Sequence, residues 1–128
     1  MTTTRLTILA AALAALAVAL APVAAAKNGD GVRVRGDCTN ASTAKLKLSR
    51  EDGGRIEVEF EVDQNRNGVR WNVTLRRNGA RVASTTATTR GPSGSFEVRR
   101  LIASGTATAR ITAVATRAGE RCSARAAV

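Results

Sequence analysis

The sequence predicts an all-β protein whose strands form two antiparallel sheets packed face to face, an immunoglobulin-like β-sandwich of seven or eight strands. Three observations support this fold class. Apolar and polar residues alternate with a period of two in several segments, glycine-containing turns separate those segments, and no 3.6-residue periodicity occurs after residue 26. A small closed β-barrel is the alternative architecture.

The first 26 residues have the three zones of an export signal. Arg5 provides a positive start, residues 6–20 form an apolar run, and small alanine residues follow at the exit. The apolar run is shorter than the roughly 20 residues that a membrane-spanning helix needs. We therefore predict a signal peptide over residues 1–26, a single β-sandwich domain over residues 27–128, and a secreted protein without a membrane span after cleavage.

The most regular alternation lies in the centre of the chain. Residues 56–63 have apolar side chains at even positions and acidic ones at odd positions, and residues 69–76 repeat the alternation of apolar and polar side chains. We predict that these segments form a hairpin centred on Asn65-Arg66, with apolar pairs on one face and opposite charges on the other. The predicted pairs are Phe60 with Trp71, Val58 with Val73, Ile56 with Leu75 and Glu61 with Arg70, with Glu57 diagonal to Arg76.

The remaining strands follow from shorter alternating segments and their turns. Asn78-Gly79 predicts a two-residue type I′ hairpin turn that sets Leu75 opposite Val82, because both turn residues tolerate positive φ. A turn at Ala118-Gly119 sets Ala115 opposite Cys122. The other predicted inward positions are Ala44, Leu46 and Leu48, joined to Ile56 by a turn at 51–53, then Phe96 and Val98, the odd positions 107–115, and the even positions 122–128. The principal core residues predicted are Phe60, Trp71, Val73, Leu75 and Ile111.

The only two cysteines, Cys38 and Cys122, lie near opposite ends of the predicted domain. An oxidising compartment favours a disulfide between them, which would tie the first strand to the last. The alternative is two buried thiols or a metal pair, although a chain without histidine offers few zinc ligands. Closing so long a loop stabilises a domain by about 4 to 5 kcal/mol in the chain-entropy model.

The predicted domain is strongly basic. The chain has 20 lysine and arginine residues against 10 acidic ones, so removal of Arg5 with the signal leaves a net charge of +9. This charge favours anionic polymers or cell-wall components as partners. The alternative explanation is compositional, because an excess of arginine over lysine is what a GC-rich coding sequence produces. Specific nucleic-acid binding is not expected, because no run of five basic residues occurs and the aromatic residues occupy inward positions.

Residues 63–68 spell the first half of a calcium-binding loop, D-x-N-x-N-G. The candidate ligands are Asp63, Asn65 and Asn67. Thr74 stands where the twelfth-position glutamate is expected, however, and Arg66 adds a positive charge. The alternative is a hairpin loop in which the asparagine and glycine residues serve only to adopt the backbone conformations of a turn.

The acidic row Glu57, Glu59 and Glu61 is the candidate for catalysis, since glycoside hydrolysis uses paired carboxyl groups. Alternate residues on a strand more often form a solvated face. Without histidine or tyrosine, the serines and threonines have no evident base to activate them. The sequence therefore predicts a protein that is not an enzyme and carries no cofactor.

Two segments, residues 57–68 followed by Trp71 and residues 91–100, together with the flanking cysteines, resemble small exported proteins of high-GC Gram-positive bacteria. The resemblance covers most of the predicted domain. It implies an exported bacterial β-domain and supplies no activity or functional residue.

Taken together, these observations predict a secreted, non-enzymatic binding module of unknown ligand that associates with anionic cell-surface polymers. The alternatives are a small extracellular enzyme acting on glycans through Glu57, Glu59 or Glu61, and a calcium-stabilised structural domain.

Overall fold

The computed structural model describes residues 31–128, so the predicted signal peptide over residues 1–26 lies outside the described residues. Residues 31–128 contain β-strands and no helix, as predicted. The nine strands are β1 (Val32–Arg35), β2 (Asp37–Cys38), β3 (Thr43–Glu51), β4 (Arg55–Asp63), β5 (Arg70–Arg77), β6 (Ala80–Thr88), β7 (Ser95–Ala103), β8 (Arg110–Arg117) and β9 (Glu120–Ala127).

The strands form a four-stranded sheet of order β1-β3-β4-β7 and a five-stranded sheet of order β2-β9-β8-β5-β6, all antiparallel. The two sheets are not closed into a barrel, so the predicted β-sandwich is the observed architecture. Alternate side chains of both sheets point into one apolar core. Among the predicted core residues, Phe60, Trp71, Leu75 and Ile111 are 0% exposed and Val73 is 1% exposed.

The first strand is divided between the two sheets at Gly36, which accounts for nine strands where seven or eight were predicted. β1 pairs with β3 in one sheet, and β2, one residue later, pairs with β9 in the other. The backbone passes so close to β9 that a Cβ on Gly36 would overlap the carbonyl oxygen of Ser123. Only glycine therefore fits at this crossing.

The predicted hairpin between residues 56–63 and 69–76 is wrong. β4 pairs with β3 and β7, whereas β5 pairs with β6 and β8, so the two segments lie in opposite sheets. Phe60 and Trp71 are both in the core, but neither is a cross-strand neighbour of the other. The error has a physical reason: two strands that face each other across a sandwich show the same inward alternation as two strands that pair.

The loop between β4 and β5 crosses from one sheet to the other and is held by Thr89. The Thr89 side chain is 1% exposed. Its hydroxyl accepts a hydrogen bond from the Val69 N–H at 2.9 Å and donates one to the Arg66 carbonyl. The Gly68 N–H also donates to the Thr89 carbonyl at 2.8 Å. These bonds satisfy the backbone where it leaves the ladder, as a buried crossing requires.

The predicted turns are largely confirmed. Asn78 and Gly79 both have positive φ, 48° and 87°, as a type I′ turn requires. A bulge near Val82 then shifts the register by one residue, so Leu75 lies opposite Ala83 and Val82 is 40% exposed. Ala115 does lie opposite Cys122. Ala107, predicted to point inward, is exposed because β8 begins only at Arg110.

Cys38 and Cys122 form the predicted disulfide, which is confirmed between directly opposed residues of β2 and β9. Their Cα atoms are 4.0 Å apart and 84 positions separate them in the chain. The bond joins the short first segment of the five-stranded sheet to its last strand, within one sheet. It secures an edge strand that has only two residues of its own.

Replacing both cysteines by alanine is expected to lower the free energy of unfolding by about 3 to 5 kcal/mol, because the unfolded chain loses a constraint on a long loop. Urea unfolding of the oxidised protein and of the double variant measures the difference. Reductant should destabilise the wild type to the same extent and leave the variant unchanged. Equal midpoints for the oxidised wild type and the variant would contradict a stabilising role.

Thr89→Val is expected to lower the free energy of unfolding by about 1 to 2 kcal/mol, because it leaves the partly buried Val69 N–H and Arg66 carbonyl without their partner. Thr89→Ser keeps the hydroxyl and is expected to cost less. Thr86→Val, at an exposed position of the edge strand β6, is the matched control. The prediction fails if the valine variant at position 89 is as stable as the serine variant.

Candidate anion-binding surface

The outer faces of the two sheets carry very different charge. On the four-stranded sheet, register and alternation place equal numbers of basic and acidic residues outward. The basic residues are Arg33, Arg35, Lys45, Lys47, Arg55 and Arg99, and the acidic residues are Glu51, Glu57, Glu59, Glu61, Asp63 and Glu97. This face is therefore electrically balanced.

The acidic row of β4 is neutralised by cations on both neighbouring strands. Glu61 pairs with Lys45 at 3.1 Å, and Glu59 pairs with Lys47 at 3.2 Å and with Arg99 at 2.6 Å. Arg99 also lies 3.6 Å from Glu57. These pairs join β3, β4 and β7 across the sheet, which gives the glutamate row a role in holding register.

The predicted ionic pairs Glu61–Arg70 and Glu57–Arg76 are wrong, because they depended on the hairpin between β4 and β5.

The pKa of Arg99 is raised above its ordinary value, first by its hydrogen bond to Glu97 and then by the charges of Glu57 and Glu59. These neighbours stabilise the charged form of its guanidinium.

An open depression of about 540 Å³ lies beside the acidic row. Its walls mix both signs of charge, with Arg33, Arg35 and Lys45 facing Glu59, Glu61 and Glu97. The carboxylates proposed to act on a glycan are here engaged by lysine and arginine. The arrangement favours a structural function for Glu57, Glu59 and Glu61.

The five-stranded sheet presents the opposite picture, and we call its outer surface the arginine face. Six arginines point outward from it, and the one outward acidic residue on its strands is Asp37, on the edge strand β2. All six are exposed. Within residues 31–128 none of them forms a salt bridge. The arginine face comprises Arg70, Arg76, Arg81, Arg110, Arg121 and Arg125.

Four strands contribute to one basic row across this face. Arg81 of β6 lies directly opposite Arg76 of β5, the next residue across is Thr112 of β8, and the row ends at Arg125 of β9. Neighbouring strands are about 4.8 Å apart, so the row spans roughly 14 Å. Like charges directly opposite each other are destabilising. A surface that retains such a pair without a carboxylate beside it is suited to an external anion.

Hydroxyl and amide groups occupy the rest of the face. They supply short hydrogen-bonding side chains between the arginines, with Val114 and Ala127 as the apolar exceptions. The outward residues of this kind are Asn72, Thr74, Ser84, Thr86, Thr88, Thr112, Thr116 and Ser123. The surface is therefore a field of hydrogen-bond donors with the arginines towards the ends of its strands.

The aromatic rings take no part in this surface. The chain has one tryptophan and two phenylalanines and no tyrosine. Trp71 and Phe60 are fully buried and Phe96 is 6% exposed. Stacking on exposed rings is how proteins bind single-stranded nucleic acid without sequence preference, and this face offers none.

The calcium candidates lie in the loop that crosses between the sheets. The Asp63 carboxylate accepts a hydrogen bond from the Asn65 N–H at 2.9 Å, and Asn65 has a positive φ of 57°. The same loop packs on the 89–94 loop, where the Gln64 N–H donates to the Gly94 carbonyl at 3.1 Å. Asp63 thus closes a local turn, as expected if residues 63–68 are a loop selected for its backbone conformation, which was the alternative to a calcium site.

An ion pair between a buried carboxylate and a partly exposed arginine, which the sequence did not reveal, lies at one end of the core. Glu120, with a side chain 2% exposed, pairs with Arg117 at 3.0 Å. The Arg117 guanidinium lies 5.5 Å from the centre of the Trp71 ring, and the Trp71 indole donates to the Gln64 side chain at 3.1 Å. Among the described residues, one Glu120 oxygen, Oε1, has no hydrogen-bond partner. Arg117 is therefore the main compensation for a buried carboxylate.

Sequence reasoning also missed the arginine face, because it counted basic residues along the chain and found only doublets. Alternation sends the two members of a doublet to opposite sides: Arg76 is outward, whereas Arg77 bends to donate to the Ser104 carbonyl at 2.7 Å. The available signal was the alternation of arginine with threonine, serine or asparagine in residues 70–76, 110–116 and 121–125. None of these segments contains an acidic residue.

Comparison of the chain with protein-family models, with curated proteins and with solved structures found no match. Within residues 31–128 there is no helix of the length and apolar character needed to cross a membrane. The charge and side chains of the arginine face are consequently the basis for the function proposed below.

Arg117→Met is expected to lower the free energy of unfolding by about 3 kcal/mol, because it leaves the Glu120 carboxylate buried without a countercharge. The double variant Arg117→Met/Glu120→Gln should recover part of that loss, since the uncompensated charge is then gone. Urea unfolding of the wild type, both single variants and the double variant measures the coupling. Strictly additive losses would show that the pair is not coupled.

Proposed function

We propose that this protein is a secreted, non-enzymatic binding module whose arginine face associates with anionic polymers such as those of a cell surface. The observation that carries the proposal is the separation of charge between the two sheets. One outer face balances six basic with six acidic residues, while the other sets six arginines against Asp37 alone.

Arginines concentrated on one face bind an anionic polymer more effectively than the same number of charges scattered over the surface. Charges separated by more than about 8 Å are largely screened at physiological ionic strength, so scattered cations act weakly and independently. Arg81 and Arg76 are cross-strand neighbours, and Arg125 lies in the same row. Such a row can neutralise several groups of one polymer and release their counterions, which makes the affinity strongly dependent on salt.

The face has open depressions and no enclosed pocket among the described residues, which favours an extended polymer over a small molecule. Small ligands are usually enclosed in concave, largely apolar pockets. Here short threonine and serine side chains cover the centre of the sheet, so a long chain can lie across several strands. The export signal predicted for residues 1–26 and the disulfide, which is consistent with an oxidising environment, both support a location where such polymers are found.

The triple variant Arg76→Gln/Arg81→Gln/Arg125→Gln is expected to elute from heparin and from an immobilised phosphodiester polymer at clearly lower salt than the wild type. With fewer arginines paired to phosphate or sulfate, the salt slope becomes smaller, by about one unit for each arginine removed from the interface. Elution in a salt gradient and binding at several salt concentrations measure both effects. Thermal melting checks that the variants remain folded.

The control is Arg50→Gln/Arg66→Gln/Arg90→Gln, which removes the same charge from exposed positions away from the arginine face. The control should elute closer to the wild type than the face variant does. Equal shifts for the two variants would contradict a localised face. Failure of the wild type to bind either polymer at low salt would overturn the proposed function itself.

A further inference from the structure

The arginine face is not uniform, because two depressions meet along the pair of strands β8 and β9. One has a volume of about 500 Å³ and reaches to the Asn78-Gly79 turn. The other has a volume of about 390 Å³ and reaches to the crossing at Gly36. Both are lined by Thr112 and Arg125, so they adjoin at these two residues, and we call the pair of depressions the trough.

The trough places three arginines of the face at successive levels. Arg110 lies at one end, Arg125 lies beside Thr112, and Arg121 lies towards the other end. At about 3.3 Å per residue, Arg110 and Thr112 are roughly 7 Å apart along β8, and Arg125 and Arg121 are roughly 13 Å apart along β9. Several anionic groups of one extended chain can therefore lie along it together.

The polar side chains along the middle of the trough can all donate hydrogen bonds. Guanidinium groups only donate, and the hydroxyls of Thr112 and Ser123 can donate to an anion as well. Asp37, at the edge strand, is the carboxylate in the lining. A ligand group that accepts hydrogen bonds and donates none matches this lining. The oxyanions of phosphodiesters and sulfate esters have that character.

Arginine is the residue suited to such groups, because its planar fork donates two parallel hydrogen bonds to a phosphate or sulfate, whereas lysine acts as a point charge. Thr112, opposite Arg125 in the β8–β9 register, adds a hydroxyl between the forks. A tetrahedral oxyanion presents oxygens in more than one plane, so a guanidinium and a hydroxyl can both reach it.

We propose that this trough is a subsite that binds one extended chain of phosphodiester or sulfate-ester groups through the forks of Arg110, Arg121 and Arg125 and the hydroxyl of Thr112. The proposal rests on the proposed function and makes it specific. It replaces general attraction to negative charge with recognition of the oxyanion by geometry.

Substitutions that keep the charge test the geometry. The trough variant is Arg110→Lys/Arg121→Lys/Arg125→Lys. The matched control is Arg50→Lys/Arg66→Lys/Arg90→Lys, which changes three exposed arginines away from the arginine face. Calorimetric titration of the full protein uses three probes: a heparin oligosaccharide, a poly(glycerol phosphate) chain and polygalacturonate. The wild type should bind either or both of the first two more tightly than the carboxylate polymer.

The trough variant is expected to lose about tenfold in affinity for whichever of heparin and poly(glycerol phosphate) binds, while the control stays within about twofold of the wild type. Thr112→Val should weaken binding several-fold, and melting curves verify folding. Weakened binding to only one of the two probes identifies whether sulfate or phosphate is the ligand chemistry.

Wild-type affinity in both lysine variants would overturn the subsite and leave the proposed function standing, because an unspecific field depends on charge alone. Tightest binding to polygalacturonate would also overturn the subsite. Failure of the proposed function has a different signature, since the wild type then binds none of the three polymers even at low salt.

Discussion

The packing of two sheets on a single apolar core is the constraint on which the rest of this structure depends. Trp71 and Phe60 fill the centre from opposite sheets, and each strand contributes alternate side chains around them. Because the inward positions are committed to packing, each strand retains only its outward positions for polar chemistry. The two outer faces are accordingly where the strands present polar side chains to solvent, and their charges differ.

Much of the fold could be predicted from the sequence, because alternation with a period of two reports directly which side chains are buried. That information identified most of the strands and the inward residues Phe60, Trp71 and Ile111, and the Asn-Gly dipeptide identified the turn at residues 78–79. It could not identify which strands pair, since every antiparallel arrangement of amphipathic strands shows the same period. The supposed pairing of β4 with β5 failed for that reason, and the ionic pairs assigned with it failed too.

The arginine face could not be predicted from the sequence for a related reason. Its basic row joins Arg81, Arg76 and Arg125, which become neighbours only through the order β9-β8-β5-β6. The glutamates of β4 differ from these arginines because the fold pairs them. In the sequence they are a row of carboxylates without nearby cations, and the fold brings Lys45, Lys47 and Arg99 beside them. Long-range register therefore decides which charges are neutralised and which remain available.

The disulfide between β2 and β9 also determines how tension passes through the domain. A pull on the chain at both sides of the bridge runs through the covalent bond, so the segment between Cys38 and Cys122 carries no load. Only the flanking pieces can extend, which are β1, paired with β3, and the part of β9 after Cys122, paired with β8. Five of the six arginines of the arginine face, all but Arg125, lie inside the bridged segment, so a pull on the two chain ends leaves the strands that carry them paired.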